Sequence, residues 1–149
     1  MRKTHGKNSL VVLGSINVPI SLNNLFSYYE RFSFVQKVFP DIEITGIPDY
    51  NNNKKWLEHL DKVLNGYGSS LNNVIFYVGN NKDAEFFIKA GTKIEVVDRY
   101  NGNSPKISAT EVRKNLFKNK DITKMVNPIL CGDIKHCFDL EKEFFTNSH

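Results

Sequence analysis

Four short apolar runs separated by helical segments constrain this chain more than any other feature. They are residues 9–15 (SLVVLGS), 41–47 (DIEITGI), 74–78 (VIFYV) and 93–97 (KIEVV). Between and after them, apolar residues recur at helical spacing. Ser27-Tyr28-Tyr29-Glu30 fits a capping box that opens a helix running to about Val38. Over 55–64, Trp56, Leu57, Leu60, Val63 and Leu64 share one face, and Gly66 and Gly68 end the segment. Further helices are expected over 83–90, 109–118 and 130–144. Strands alternating with helices predict an α/β fold, with buried strands in a parallel sheet covered by helices on both faces. Ligands in such sheets sit at the carboxyl ends of the strands. The loops after Ser15, Ile47, Val78 and Val97 are therefore the places to look for function.

Composition sets the outer limits. A chain of 149 residues can bury one sizeable core, so a single domain is expected over 1–149. With 40% hydrophobic and 24% charged residues, it belongs with globular rather than disordered chains. The net charge of +4 favours anionic partners. The lysines are scattered singly or in pairs such as Lys54-Lys55, with no arginine-rich stripe, so no nucleic-acid partner is expected. No apolar run approaches the roughly 18 residues that suggest a membrane span, and no membrane partner is expected. The apolar stretch after the basic start is too short for a signal peptide. Cys131 and Cys137 form neither a disulfide framework nor a metal-binding spacing, which points to the reducing cytoplasm. His59 and His136 also lack metal-ligand company, so no protein-held metal is expected.

The densest chemistry lies in Ile107-Ser108-Ala109-Thr110-Glu111-Val112-Arg113. Ser108 and Glu111 have the spacing of a capping box. The first-turn amides of a helix starting there have no internal partners, and with the helix dipole they attract phosphate oxygens. Thr110 adds a hydroxyl, and Arg113 adds a guanidinium suited to paired bonds with phosphate. The same residues also suffice to cap a surface helix. Trp56 likewise fits a plain core position. Asp49, Asn53, Gly79 and Asn80 are ordinary turn residues, and Arg31 could be a solvated helix charge.

Read together, these segments resemble the archaeal-type nicotinamide mononucleotide adenylyltransferases, members of the HIGH-type nucleotidyltransferase superfamily. Residues 107–113 are similar to that family's ISATEIR signature, with Val for Ile. Gly14-Ser15, followed by Asn24, Phe26, Ser27, Glu30 and Arg31, resembles its GSAQ…NPFTxxER stretch, with Leu25 in place of the proline. Pro48-Asp49, Asn53 and Trp56 resemble its PDxxxNxxW segment, and Gly79-Asn80 resembles its TGN turn.

The resemblance implies a Rossmann-like nucleotidyltransferase sheet and adenylyl transfer from ATP to nicotinamide mononucleotide, giving NAD and pyrophosphate. It implies that Ser108, Thr110 and Arg113 bind the ATP phosphates, with Arg113 supporting catalysis and Gly14, Ser15 and Asn80 lining the nucleotide. Trp56 would stack on the nicotinamide ring, with Asp49 and Asn53 near that end and its ribose. Arg31 would sit near a nucleotide phosphate. Magnesium is implied as an ion carried on the nucleotide phosphates.

The family's first strand ends in a GRFxPxHxGH loop, whose histidines contact the ATP phosphates. No such stretch occurs in this sequence, and the resemblance begins at the second strand. Three expectations follow. The central strand of the sheet is missing, so a partner chain, an oligomer or an upstream piece should cover the gap. Catalysis should be impaired. The alternative is a non-catalytic nucleotide-binding or assembly module derived from such an enzyme. A related transferase with another acceptor is a further alternative, against which Trp56, Asp49 and Asn53 argue.

Overall fold

Strand β1 (Leu10–Leu13) and strand β2 (Glu43–Gly46) pair in parallel, from Leu10 opposite Glu43 to Leu13 opposite Gly46. In this computed structural model the described residues are 8–78, 81–96 and 108–146. They divide into two units. The first holds the described residues up to Asp49 and from Ser108 onward. The second begins at Tyr50 and its described part ends at Val96.

In the first unit, helix α1 (Tyr28–Val38) joins β1 to β2. Its start follows from the sequence. Ser27 Oγ accepts the Glu30 amide at 3.2 Å, and Glu30 Oε1 accepts the Ser27 amide at 2.9 Å. A cap of this kind contributes about 1 kcal/mol. Gly46 is required where β2 passes under α1. A Cβ there would lie 2.6 Å from Ile16 Cγ2 and 2.7 Å from Tyr28 Cε2. Helix α4 (Ala109–Phe117), a 3₁₀ turn at Pro128–Leu130 and helix α5 (Cys131–Thr146) complete this unit. Its core is Leu25, Leu116, Ile122, Ile134 and Phe138. The Lys37–Asp133 ion pair at 2.7 Å ties α1 to α5 at the surface.

The second unit contains helix α2 (Asn53–Gly66), strand β3 (Ile75–Val78), helix α3 (Asn81–Lys89) and strand β4 (Lys93–Val96). β3 and β4 are again parallel, with Ile75 opposite Lys93. Leu60 and Leu64 are buried on the inner face of α2, as the helical spacing requires. Gly91 takes φ +78 and its amide closes on Ile88 O at 2.9 Å, which stops α3 and allows β4 to begin at once.

The structure is thus mixed α/β with small parallel sheets. The expectation of one broad sheet is met only pairwise, because the described strands form two two-stranded sheets. The expectation of buried strands is corrected. β1 is half-buried throughout and Ile75 is 44% exposed, since a strand with one neighbour cannot be covered on every side. α2 begins two residues earlier than expected, because Asn52 Oδ1 caps the Lys55 amide at 3.2 Å. Among the described residues no helix is long and apolar enough to cross a membrane.

Candidate functional site

β1 ends at Leu13, and the chain turns away at Ser15, which adopts φ +55. A side chain in this left-handed region costs about 1 kcal/mol or more, and such residues concentrate at functional sites. Here the hydroxyl is in use. Ser15 Oγ lies 2.8 Å from Asp49 Oδ1 and 2.9 Å from Asp49 Oδ2, so its proton is donated to the carboxylate. Asp49 stands just past β2, at the same carboxyl end of the pair.

Arg31, one turn into α1, closes the group from the other side. Its Nη1 donates to Gly14 O at 2.9 Å and its Nη2 to Ser15 O at 3.4 Å. Its Nε is buried without a hydrogen-bond partner among the described residues. Arg31 also has no carboxylate partner among the described residues. Gly14, Ser15, Arg31 and Asp49, up to 35 positions apart in the chain, therefore form one hydrogen-bonded cluster. Sequence reading missed Asn17. It accepts the Asp49 amide on Oδ1 at 2.8 Å and donates from Nδ2 to Asp49 O at 3.4 Å. The available signal was an asparagine four residues past the end of β1, a side chain prone to bonding nearby main chain.

The start of α4 forms a second group in this unit. Ser108 Oγ accepts the Glu111 amide at 3.2 Å, which satisfies one first-turn donor. The Ala109 and Thr110 amides have no acceptor within the helix. Arg113 folds back so that its Nη2 donates to Thr110 Oγ1 at 3.2 Å. It too has no carboxylate partner among the described residues. A helix mouth with first-turn amides, a hydroxyl and a guanidinium can bind a phosphate or another oxyanion.

Asn53 and Trp56 lie in the first turn of α2, in the second unit. Asn53 is exposed. Trp56 is half-buried, with edge-on contacts to Phe86 at 6.2 Å and Phe87 at 6.0 Å. Phe87 in turn stacks on Phe76 at 4.6 Å. Tyr50 Oη and His59 Nδ1, 2.6 Å apart, pin the entry of α2 to its middle. This gives His59 a structural partner. Asn80 lies outside the described residues.

Among the described residues no three His, Cys, Asp or Glu side chains gather as a metal site. Magnesium arriving with a nucleotide would be held by phosphate oxygens and water, the usual mode for this ion, so the implied ion demands no protein cage. No family model and no curated protein matches this chain.

Proposed function

We propose that this chain handles nucleotides and that its chemistry is adenylyl transfer from ATP to nicotinamide mononucleotide, yielding NAD and pyrophosphate. One observation carries this reading. Gly14-Ser15 and Arg31, at the two ends of one stretch of the resemblance, and Asp49, from another, are joined by hydrogen bonds at the carboxyl end of a parallel strand pair. That is where α/β sheets bind ligands.

In the reaction, a phosphate oxygen of the mononucleotide forms a bond to the alpha phosphorus of ATP, and the bond to pyrophosphate breaks. Such a transfer needs alignment and charge neutralisation more than a protein nucleophile. The Ala109 and Thr110 amides, the Ser108 hydroxyl and Arg113 would grip the polyphosphate. Arg31 would offset charge on a nucleotide phosphate. Asp49, Asn53 and Trp56 would receive the nicotinamide ribose end, and Asn80 would line the nucleotide.

The Rossmann-like nucleotidyltransferase fold belongs to the same proposal. Its support is that β1–β2 and β3–β4 are the parallel pairs expected of such a sheet once its first strand is set aside. Among the described residues, the second edge of β1 has no ladder partner. A strand from another chain or segment would pair there.

The test is calorimetry of ATP and nicotinamide mononucleotide binding, with a coupled assay for pyrophosphate. Ser108→Ala and Arg113→Ala are expected to weaken ATP binding roughly tenfold each, since a charge-assisted hydrogen bond is worth about 1.5–3 kcal/mol. Binding with pyrophosphate release supports the enzyme. Binding without release supports the assembly-module alternative. Failure to bind either nucleotide at millimolar concentration ends both readings.

A further inference from the structure

The last main-chain rung between β1 and β2 is the Ile47 amide donating to Leu13 O at 2.9 Å. Beyond it the chain after β1 bends away at Ser15, while the chain after β2 continues through Pro48, which has no amide proton, to Asp49. The Asp49 peptide groups would have no strand opposite them. Asn17 stands in for that strand. Its carboxamide carries one acceptor and one donor, as a peptide unit does. Oδ1 takes the Asp49 N–H at 2.8 Å, and Nδ2 reaches Asp49 O at 3.4 Å.

Asn17 is itself held in place. The Val18 amide closes a turn onto Ser15 O at 3.2 Å, and Arg31 Nη2 binds the same oxygen at 3.4 Å. A continuous chain of bonds therefore runs from α1, through the 15–18 turn and the Asn17 amide, to the backbone of Asp49. With its backbone clamped at both polar groups, Asp49 has one remaining freedom, the rotation of its carboxylate. Ser15 Oγ restricts this by touching both oxygens, at 2.8 and 2.9 Å.

We propose that Asn17 is a positioning residue. It completes the β1–β2 ladder with its side chain and so presents the Asp49 carboxylate as a preset acceptor for the uncharged donor groups, sugar hydroxyls or amide, of a mononucleotide. The ligand part of this proposal rests on the adenylyl-transfer reading; the clamp does not. Ser15 has a separate duty: it orients the carboxylate without setting the backbone. A turn that needed only a positive φ would be served better by glycine, so the serine is there for its hydroxyl.

Amide hydrogen exchange on the full chain tests the clamp without any ligand. In Asn17→Ala the Asp49 amide is expected to exchange at least tenfold faster than in wild type, while the Ile47 amide keeps its protection and reports that the fold is intact. In Ser15→Gly both amides keep their protection. Calorimetry with nicotinamide mononucleotide then tests the consequence. Both variants should weaken its binding about tenfold, and Asn17→Ala should leave ATP affinity within twofold.

Unchanged Asp49 exchange in Asn17→Ala overturns the clamp. Faster exchange with unaltered mononucleotide affinity overturns the positioning role. A wild-type chain that binds neither nucleotide refutes the adenylyl-transfer reading and the ligand half of this one, and the exchange comparison still decides the clamp.

Discussion

Replacing Gly46 by alanine probes the joint between the sheet and the helix that carries Arg31. The added Cβ would stand 2.6 Å from Ile16 Cγ2, 2.7 Å from Tyr28 Cε2 and 3.1 Å from Tyr28 Cζ, where ordinary contact begins at 3.4 Å. Two neighbours must therefore retreat by about 0.7–0.8 Å. Neither retreats freely. Tyr28 is the first residue of α1, and its ring lies against Tyr29 at 5.5 Å and Phe32 at 6.0 Å. Ile16 follows Ser15, whose carbonyl Arg31 holds. Overpacking of this kind costs about 1–3 kcal/mol. The alanine recovers up to about 1 kcal/mol by restricting the unfolded chain.

The net expectation is a loss of about 1–2 kcal/mol, or roughly 2–8 °C in the melting midpoint of a chain this size. Thermal or urea unfolding followed by circular dichroism measures it. Because α1 must shift, the Arg31 bonds to Gly14 and Ser15 should loosen as well. Ile16→Ala in the Gly46→Ala background opens the nearest contact and should recover about half the loss, a non-additivity expected of touching residues. A Gly46→Ala midpoint equal to wild type would refute the packing argument. So would strict additivity with Ile16→Ala.

Two further outcomes are expected. Ser9 is 5% exposed and its hydroxyl has no hydrogen-bond partner among the described residues, so Ser9→Ala should stabilise the chain by about 1 kcal/mol in the same unfolding measurement. Burial, reinforced by a hydrogen bond donated to Glu30, by the charge of Glu30 and by the charges of Asp133 and Glu141, pushes the Cys137 thiol up to about 12. Near pH 8 its thiolate fraction is then roughly a thousandfold below that of an ordinary cysteine. Iodoacetamide should label Cys137 slowly in native Cys131→Ser protein and readily once it is unfolded in urea.

What the sequence made legible was local chemistry. Ser27 and Glu30 mark the start of α1 because a capping box needs only side chains three residues apart. The inner face of α2 follows from its spacing, and Leu60 and Leu64 are where that spacing places them. The end of α3 follows from Gly91, the residue type that tolerates positive φ there. Less legible was whatever depends on distant partners. The strand runs overstate β1 and β2 by three residues each; at the carboxyl ends the ladder stops because the chain turns at Ser15, and no hydropathy pattern encodes that bend. The Asn51-Asn52-Asn53 run reads as a turn, yet Asn52 caps a helix; one residue type serves both purposes. Trp56 was placed on the correct face, but its contacts with Phe86 and Phe87 depend on a helix 30 positions away. The role of Asn17 has the same origin. Its partner is a backbone, and backbone carries no sequence signal.

Two departures from local rules coincide at one point of the fold. Ser15 holds a positive φ that glycine would adopt at no cost, and Arg31 buries an Nε that has no partner among the described residues. Both are disfavoured for stability, by about 1 kcal/mol or more for the strained residue and about 1–3 kcal/mol for the orphaned donor. They also meet, because Arg31 Nη2 reaches the Ser15 carbonyl. Other departures in the first unit stand singly: Ser9 buries a hydroxyl without a partner among the described residues, and Asn119 takes φ +52 just past the end of α4. Chains that break such rules do so chiefly where function demands it. Only at the carboxyl end of β1 do two of these departures touch, whereas the start of α4 is conventionally capped by Ser108. In Ser15→Gly that tension should separate into two measurable parts: the strain is relieved while the bond to Asp49 is lost. A variant that melts no lower than wild type yet binds mononucleotide more weakly would show the serine retained for its ligand.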